Sequence, residues 1–131
     1  MMHWVKALLA VFLFLCISSP ADAGGGYTVV VSRATNALSD WQSVVKTLVT
    51  KHNAKVLVFD GDVTESLAGL RKQFPRYACF VATPKEATGA FVGKVHQLTR
   101  KLDEDPYTDT LWGILTGYDA KNALAIAHHQ T

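Results

Sequence analysis

Cysteine is scarce in this chain: two in 131 residues. Cys16 lies in an N-terminal apolar run expected to be removed, which leaves Cys79. A single cysteine forms no internal disulfide, so an exported domain of this kind must be held together by its core. Charge of one sign is also lacking. Lys and Arg number 13 against 11 Asp and Glu, a formal net charge of +2. The basic residues are scattered, which argues against a nucleic-acid partner and for solvated helix surfaces. No G-x-G-x-x-G follows the first strand and no G-x-x-x-x-G-K-[ST] occurs, so a dinucleotide fingerprint and a P-loop are excluded. Beyond the N-terminal run, no apolar stretch approaches the roughly 20 residues of a spanning helix. No internal repeat is visible, and Gly24-Gly25-Gly26 is the one low-complexity tract, a flexible lead-in.

Residues 1–23 carry the three regions of a secretory signal. Met1 to Lys6 is short with one positive charge, Ala7 to Cys16 is continuously apolar, and Ala21-Asp22-Ala23 is a small-x-small cleavage site. The run is too short for a stable membrane anchor. Leu15 before Cys16 is too large for a lipoprotein site. The expectation is export, secreted or periplasmic, with Gly24 as the new N-terminus and residues 24–131 as one α/β domain.

Short apolar runs and helical stripes then alternate. Tyr27 to Val31 reads as a first buried strand, and Ser32 to Ser39 as a polar loop. Asp40 is placed as a cap, and Trp41, Val44, Val45, Leu48 and Val49 form one helical stripe ending near His52-Asn53. Lys55 to Phe59 is a second buried strand. Asp62 and Glu65 make an acidic capping box ahead of a face formed by Val63, Leu67, Leu70 and Phe74, closed by Pro75. Tyr77 to Ala82 is a third strand. Thr83-Pro84-Lys85-Glu86 offers an N-cap, a first-turn proline and an acidic third position, which predicts a helix from Thr83 to about Leu102. Asp103 to Thr110 is an acidic loop, Leu111 to Leu115 a fourth buried strand, and Asp119 the cap of a last helix.

This βαβαβαβα order predicts a four-stranded parallel sheet in the order 2-1-3-4, with helices on both faces, as in flavodoxin-like sheets. That order makes strand 4 an edge, although its unbroken apolar composition suits a strand with neighbours on both sides. The expectation is therefore either a larger domain of which this is part, with a missing C-terminal segment beside strand 4, or a homodimer that covers it.

In such sheets ligands bind beyond the carboxyl ends of the strands, where the order reverses. Arg33 and Thr83 are the candidate residues there, with an anion as the ligand and solvated loop and capping roles as the plainer alternative; Asp119, after strand 4, is a further candidate ligand-binding residue. Cys79 sits in mid-strand, where a small buried hydrophobe is expected rather than a nucleophile. His52 lies at a helix end, His96 faces outward, and His128-His129 are placed in a frayed tail; none is tied by spacing to Cys79. Asp103, Asp105 and Asp109 alternate like the start of a calcium loop. Thr108 stands where an EF-hand needs glycine, and Ile114 where it needs glutamate, which leaves a looser calcium site against a plain solvated loop.

The segments YTVVVSRAT, KHNAKVLVFDGD, RYACFVATP and DPYTDTLWGILTGYDAKNALAIA, taken with the export signal, resemble the N-terminal part of gingipain-type cysteine peptidases. The likeness spans most of residues 27–127 and lies in the order of elements and a few loop residues. Leu115-Thr116-Gly117-Tyr118 departs from it, since a Gly-Arg pair belongs after that strand in the family. The resemblance implies a caspase-like α/β sandwich and calcium binding. It also implies a His-Cys dyad on strands beyond the matched segment, so neither Cys79 nor any histidine here takes a catalytic role. The functional expectation is an exported gingipain-like domain fragment, truncated before its catalytic region and without peptidase activity of its own. The alternative is a small non-catalytic binding module with a flavodoxin-like sheet.

Overall fold

A computed structural model describes residues 26–129; residues 1–25, with the signal segment expected there, and the final two residues lie outside that range. The elements run β1 (Tyr27–Ser32), α1 (Arg33–Asn36), α2 (Ser39–His52), β2 (Lys55–Phe59), a 3-10 turn (Val63–Ser66), α3 (Leu67–Gln73), β3 (Tyr77–Val81), α4 (Gly89–Leu98), β4 (Leu111–Leu115) and α5 (Ala120–His128). All four strands are parallel, in the order β2-β1-β3-β4. The α/β class, the strand order and the two helical layers are those expected from the alternation of strands and stripes.

The period-2 geometry of β1 divides the core. Val29 and Val31 point to one face and pack with Trp41, Val44, Val45 and Leu48 of α2 and with Ala120, Ala123 and Ala127 of α5. Val30 points to the other face, with Phe80, Leu70 of α3 and Val95 and Leu98 of α4. Both layers close on β1 and β3, so these central strands are buried on both sides. Gly69 marks a close approach of α3 to the sheet: a Cβ there would lie 2.4 Å from the Leu57 Cδ1.

The structure corrects several local expectations. The segment after β1 is not all loop, because the Ser32 side chain accepts from the Thr35 N–H and starts α1. The N-cap of α2 is Leu38, and Asp40 lies inside the first turn, where its carboxylate accepts from the Trp41 N–H. The long helix expected from Thr83 begins at Gly89, capped by Thr88. Thr83 and Glu86 do make reciprocal hydrogen bonds, but these close a single turn and no helix follows directly. Phe74 leaves the apolar face of α3: it is the left-handed C-cap, with φ of 42°, and is exposed. Neither β2 nor β4 is buried like the central pair, because among the described residues each is an edge with a partner on one side only.

Two capping expectations hold. Asp62 and Glu65 form a complete capping box, which starts the 3-10 turn leading into α3. Asp119 accepts from the Asn122 N–H at the start of α5.

Candidate functional site

The strand order reverses between β1 and β3, and the carboxyl ends of these strands meet a polar cluster. Ser32 turns the chain into α1, which brings the buried Thr35 hydroxyl toward the turn after β3. That hydroxyl donates to the Glu86 carboxylate, 51 residues away. The same Glu86 oxygen accepts from the Thr83 N–H at 3.2 Å and lies 3.5 Å from the Thr83 hydroxyl. Glu86 thus occupies the crevice with a fixed negative group that already takes up the donors around it. Such a crevice offers an incoming anion repulsion and few free donors.

Arg33 stands at the rim. Its guanidinium pairs with Asp60 at the end of β2, and both side chains are largely exposed. The pairing holds the Asp60 carboxyl below its ordinary value. Beside it an open hollow is lined by Phe59, Asp62, Val63, Glu86, Thr88, Phe91 and Lys94. Lys94 from α4 bonds Asp62 across the hollow. The Lys94 ammonium, together with the Thr64 N–H and hydroxyl, holds the Asp62 carboxyl down to about 2. The rim is therefore an arrangement of satisfied ion pairs.

The three sequence-derived ligand candidates fall into separate sets. Arg33 pairs with Asp60, Thr83 joins the Glu86 cluster, and Asp119 caps α5 near Asp40 and Ser43 of α2. Glu86 lies outside those three candidates, and Thr35 enters from the sequence only as a member of the loop expected after β1. The Thr-x-x-Glu spacing marks Glu86 as a capping residue, but no local signal carries Thr35 to it.

Cys79 lies on β3, 8% exposed, facing the α2–α5 layer. Burial pushes its thiol up to about 11, against the opposing influence of the Tyr27 hydroxyl and the Leu115 backbone. A thiol held protonated in this way is a poor nucleophile at neutral pH. The Tyr27 phenol is itself pushed up by burial and by the neighbouring Cys79. Its ring stacks on His52 with centroids 4.1 Å apart, and burial followed by the nearby Lys51 lowers the His52 pKa. His96 is exposed and meets Trp112 edge-on.

In the acidic loop, carboxylate oxygens of Asp103, Asp105 and Asp109 lie within 4.8 Å of one another. Asp103 and Asp105 also accept from backbone N–H groups two residues on, which is ordinary Asx-turn geometry. One Asp109 oxygen is buried without a hydrogen-bond partner among the described residues. Burial, then the charges of Asp103 and Asp105, raise the Asp109 pKa. Calcium takes about 6–8 oxygens, so these carboxylates alone would supply only part of a shell.

Fold and site together define a small parallel α/β protein of flavodoxin-like strand order, with a carboxylate-filled switch point and a buried thiol. No family model, curated protein or solved structure matches the chain.

Proposed function

We propose that this chain is an exported, gingipain-like α/β domain with no catalytic dyad of its own, which acts by holding another polypeptide segment at the β4 edge. The observation that carries this reading is the state of β4. Leu111 is 62% exposed, and the remainder of the LWGIL run is only partly covered although its composition suits a central strand. Cys79 supports the non-catalytic half, since it is buried, protonated and beside a tyrosine rather than a histidine. No described helix is long and apolar enough to cross a membrane.

Two measurements test the reading. The protein recovered from its native source should begin at Gly24, and an N-terminus at Met1 would contradict export. The purified protein should not hydrolyse a panel of fluorogenic peptides; turnover that disappears in Cys79→Ala would overturn the non-catalytic assignment. The same strand order suits a small flavodoxin-like binding module. Tryptic mapping separates the two: peptides continuing into a His- and Cys-bearing region support the gingipain-like reading, and their absence favours the module.

A further inference from the structure

We propose that the β4 edge takes the β4 strand of a second copy of this chain, antiparallel and centred on Gly113, so that two four-stranded sheets become one across a two-fold axis. This rests on the reading of β4 as a free docking edge.

The backbone fixes which groups are available. The Leu111 N–H donates to the Arg76 carbonyl at 2.8 Å, and the Leu115 carbonyl accepts from the Ala82 N–H at 3.1 Å. These odd-numbered residues spend their backbone groups on β3. Alternation along the strand therefore turns the N–H and C=O of Trp112 and Ile114 outward, at the end of the sheet order.

The side chains fit a copy of themselves. Leu-Trp-Gly-Ile-Leu reads nearly alike in both directions about Gly113. An antiparallel pair centred there sets Leu111 opposite Leu115 of the second copy on one face, and Trp112 opposite its Ile114 on the other. Aromatic–β-branched and aliphatic cross-strand pairs of this kind stabilise sheets. Trp112 and Ile114 of the second copy become hydrogen-bonded pairs that exchange both backbone bonds, and the pairing is isologous, as a two-fold contact requires.

Gly113 supplies the second argument. No heavy atom of the described residues lies within 4 Å of a Cβ built there, so their packing does not require the glycine. Glycine inside a strand weakens it, and often marks a place where another backbone comes close. In the proposed pair Gly113 meets itself at a non-hydrogen-bonded position, where Cα atoms approach to about 4.5 Å.

The other edge lacks these features. β2 carries Lys55 at its start and is followed by the Arg33–Asp60 ion pair, and charge at an edge discourages pairing. β4 is flanked by the neutral Thr110 and Thr116. The last helix, α5, folds back against α2 rather than outward beyond β4.

The test is sedimentation analysis over a concentration series with wild type, Gly113→Lys and Gly113→Glu. The Cβ of either substitution meets nothing among the described residues, and unchanged circular dichroism and melting confirm an intact fold. The wild type should move from monomer to dimer with concentration. Each charged variant should associate roughly a hundredfold more weakly, as like charges set against each other require. An equimolar mixture of the two variants should recover dimer, because residue 113 then meets its opposite charge. A wild-type dimer indifferent to Gly113→Lys would overturn the proposal. So would a monomer at every concentration, and hydrogen exchange then separates two failures. Fast exchange at Trp112 and Ile114 leaves β4 open to a different chain. Protection of those amides in the monomer means that the edge is not free, and overturns the docking reading as well.

Discussion

Cys79 shows how strongly surroundings decide the role of a side chain. Its thiol is raised to about 11 by burial, so at neutral pH it is a packed hydrophobe. Alkylating reagents should label it slowly in the native protein and rapidly after denaturation. Fast native labelling would mean that it is open to solvent. Asp62 is the opposite case, a carboxylate held down to about 2 by Lys94 and Thr64. Its folded pKa lies below the unfolded one, so the stability it contributes is present above the ordinary carboxylate pKa and is lost as pH falls through about 2. Titration followed by NMR should place Asp62 near that value, and Lys94→Met should move it up toward the ordinary range. Asp109 has the reverse sign. Its raised pKa means that ionisation opposes folding, so stability increases as pH falls through the folded value. Asp109→Asn should accordingly raise the melting temperature at neutral pH, and a lowered one would show that its charge is compensated.

Helix boundaries were harder to read from the chain than helix faces. The stripe Trp41, Val44, Val45, Leu48 is the buried face of α2, because the helical period alone places those residues together. The capping pattern at Thr83 predicts a start of α4 ahead of the observed one, because a local pattern does not tell a single closed turn from the first turn of a helix. The structure gives the helix to Thr88, whose hydroxyl accepts from the Phe91 N–H, and uses Thr83 to hold Glu86 over the switch point. Thr88→Ala should cost about 1 kcal/mol in urea unfolding and speed exchange at the Phe91 amide. If Thr83→Ala frayed α4 instead, the helix would begin where the capping pattern first suggested. Of the candidate site, the individual residues Arg33, Thr83 and Asp119 were legible as loop and cap positions. Glu86 was legible too, as the third residue of the Thr83 capping pattern, and Asn122 as the third residue after the Asp119 cap; Asp60 was not, since it reaches Arg33 only through folding.

At the level of the whole molecule, one sheet separates two apolar layers, and the central strands belong to both. Phe80 is fully buried in the α3–α4 layer. Phe80→Ala should lower unfolding stability by about 3–5 kcal/mol in urea titration, and a much smaller loss would mean that the layer collapses around the cavity. The acidic loop leads into β4 at one open edge, and the Arg33–Asp60 pair follows β2 at the other.

The residue pattern was sufficient for the α/β class, the parallel sheet and its order, because burial on both faces and right-handed crossovers leave few arrangements for alternating strands and stripes. Apolar composition could not tell a central strand from an edge, since β4 and β3 carry similar runs and differ only in having one neighbour or two. Nor could it place Glu86 against Thr35, a contact that exists only once β1 and β3 lie side by side and their following loops meet. Local periodicity records which face of an element is apolar; how many neighbours that face receives, and which distant polar groups it brings together, depends on the packing of the entire sheet.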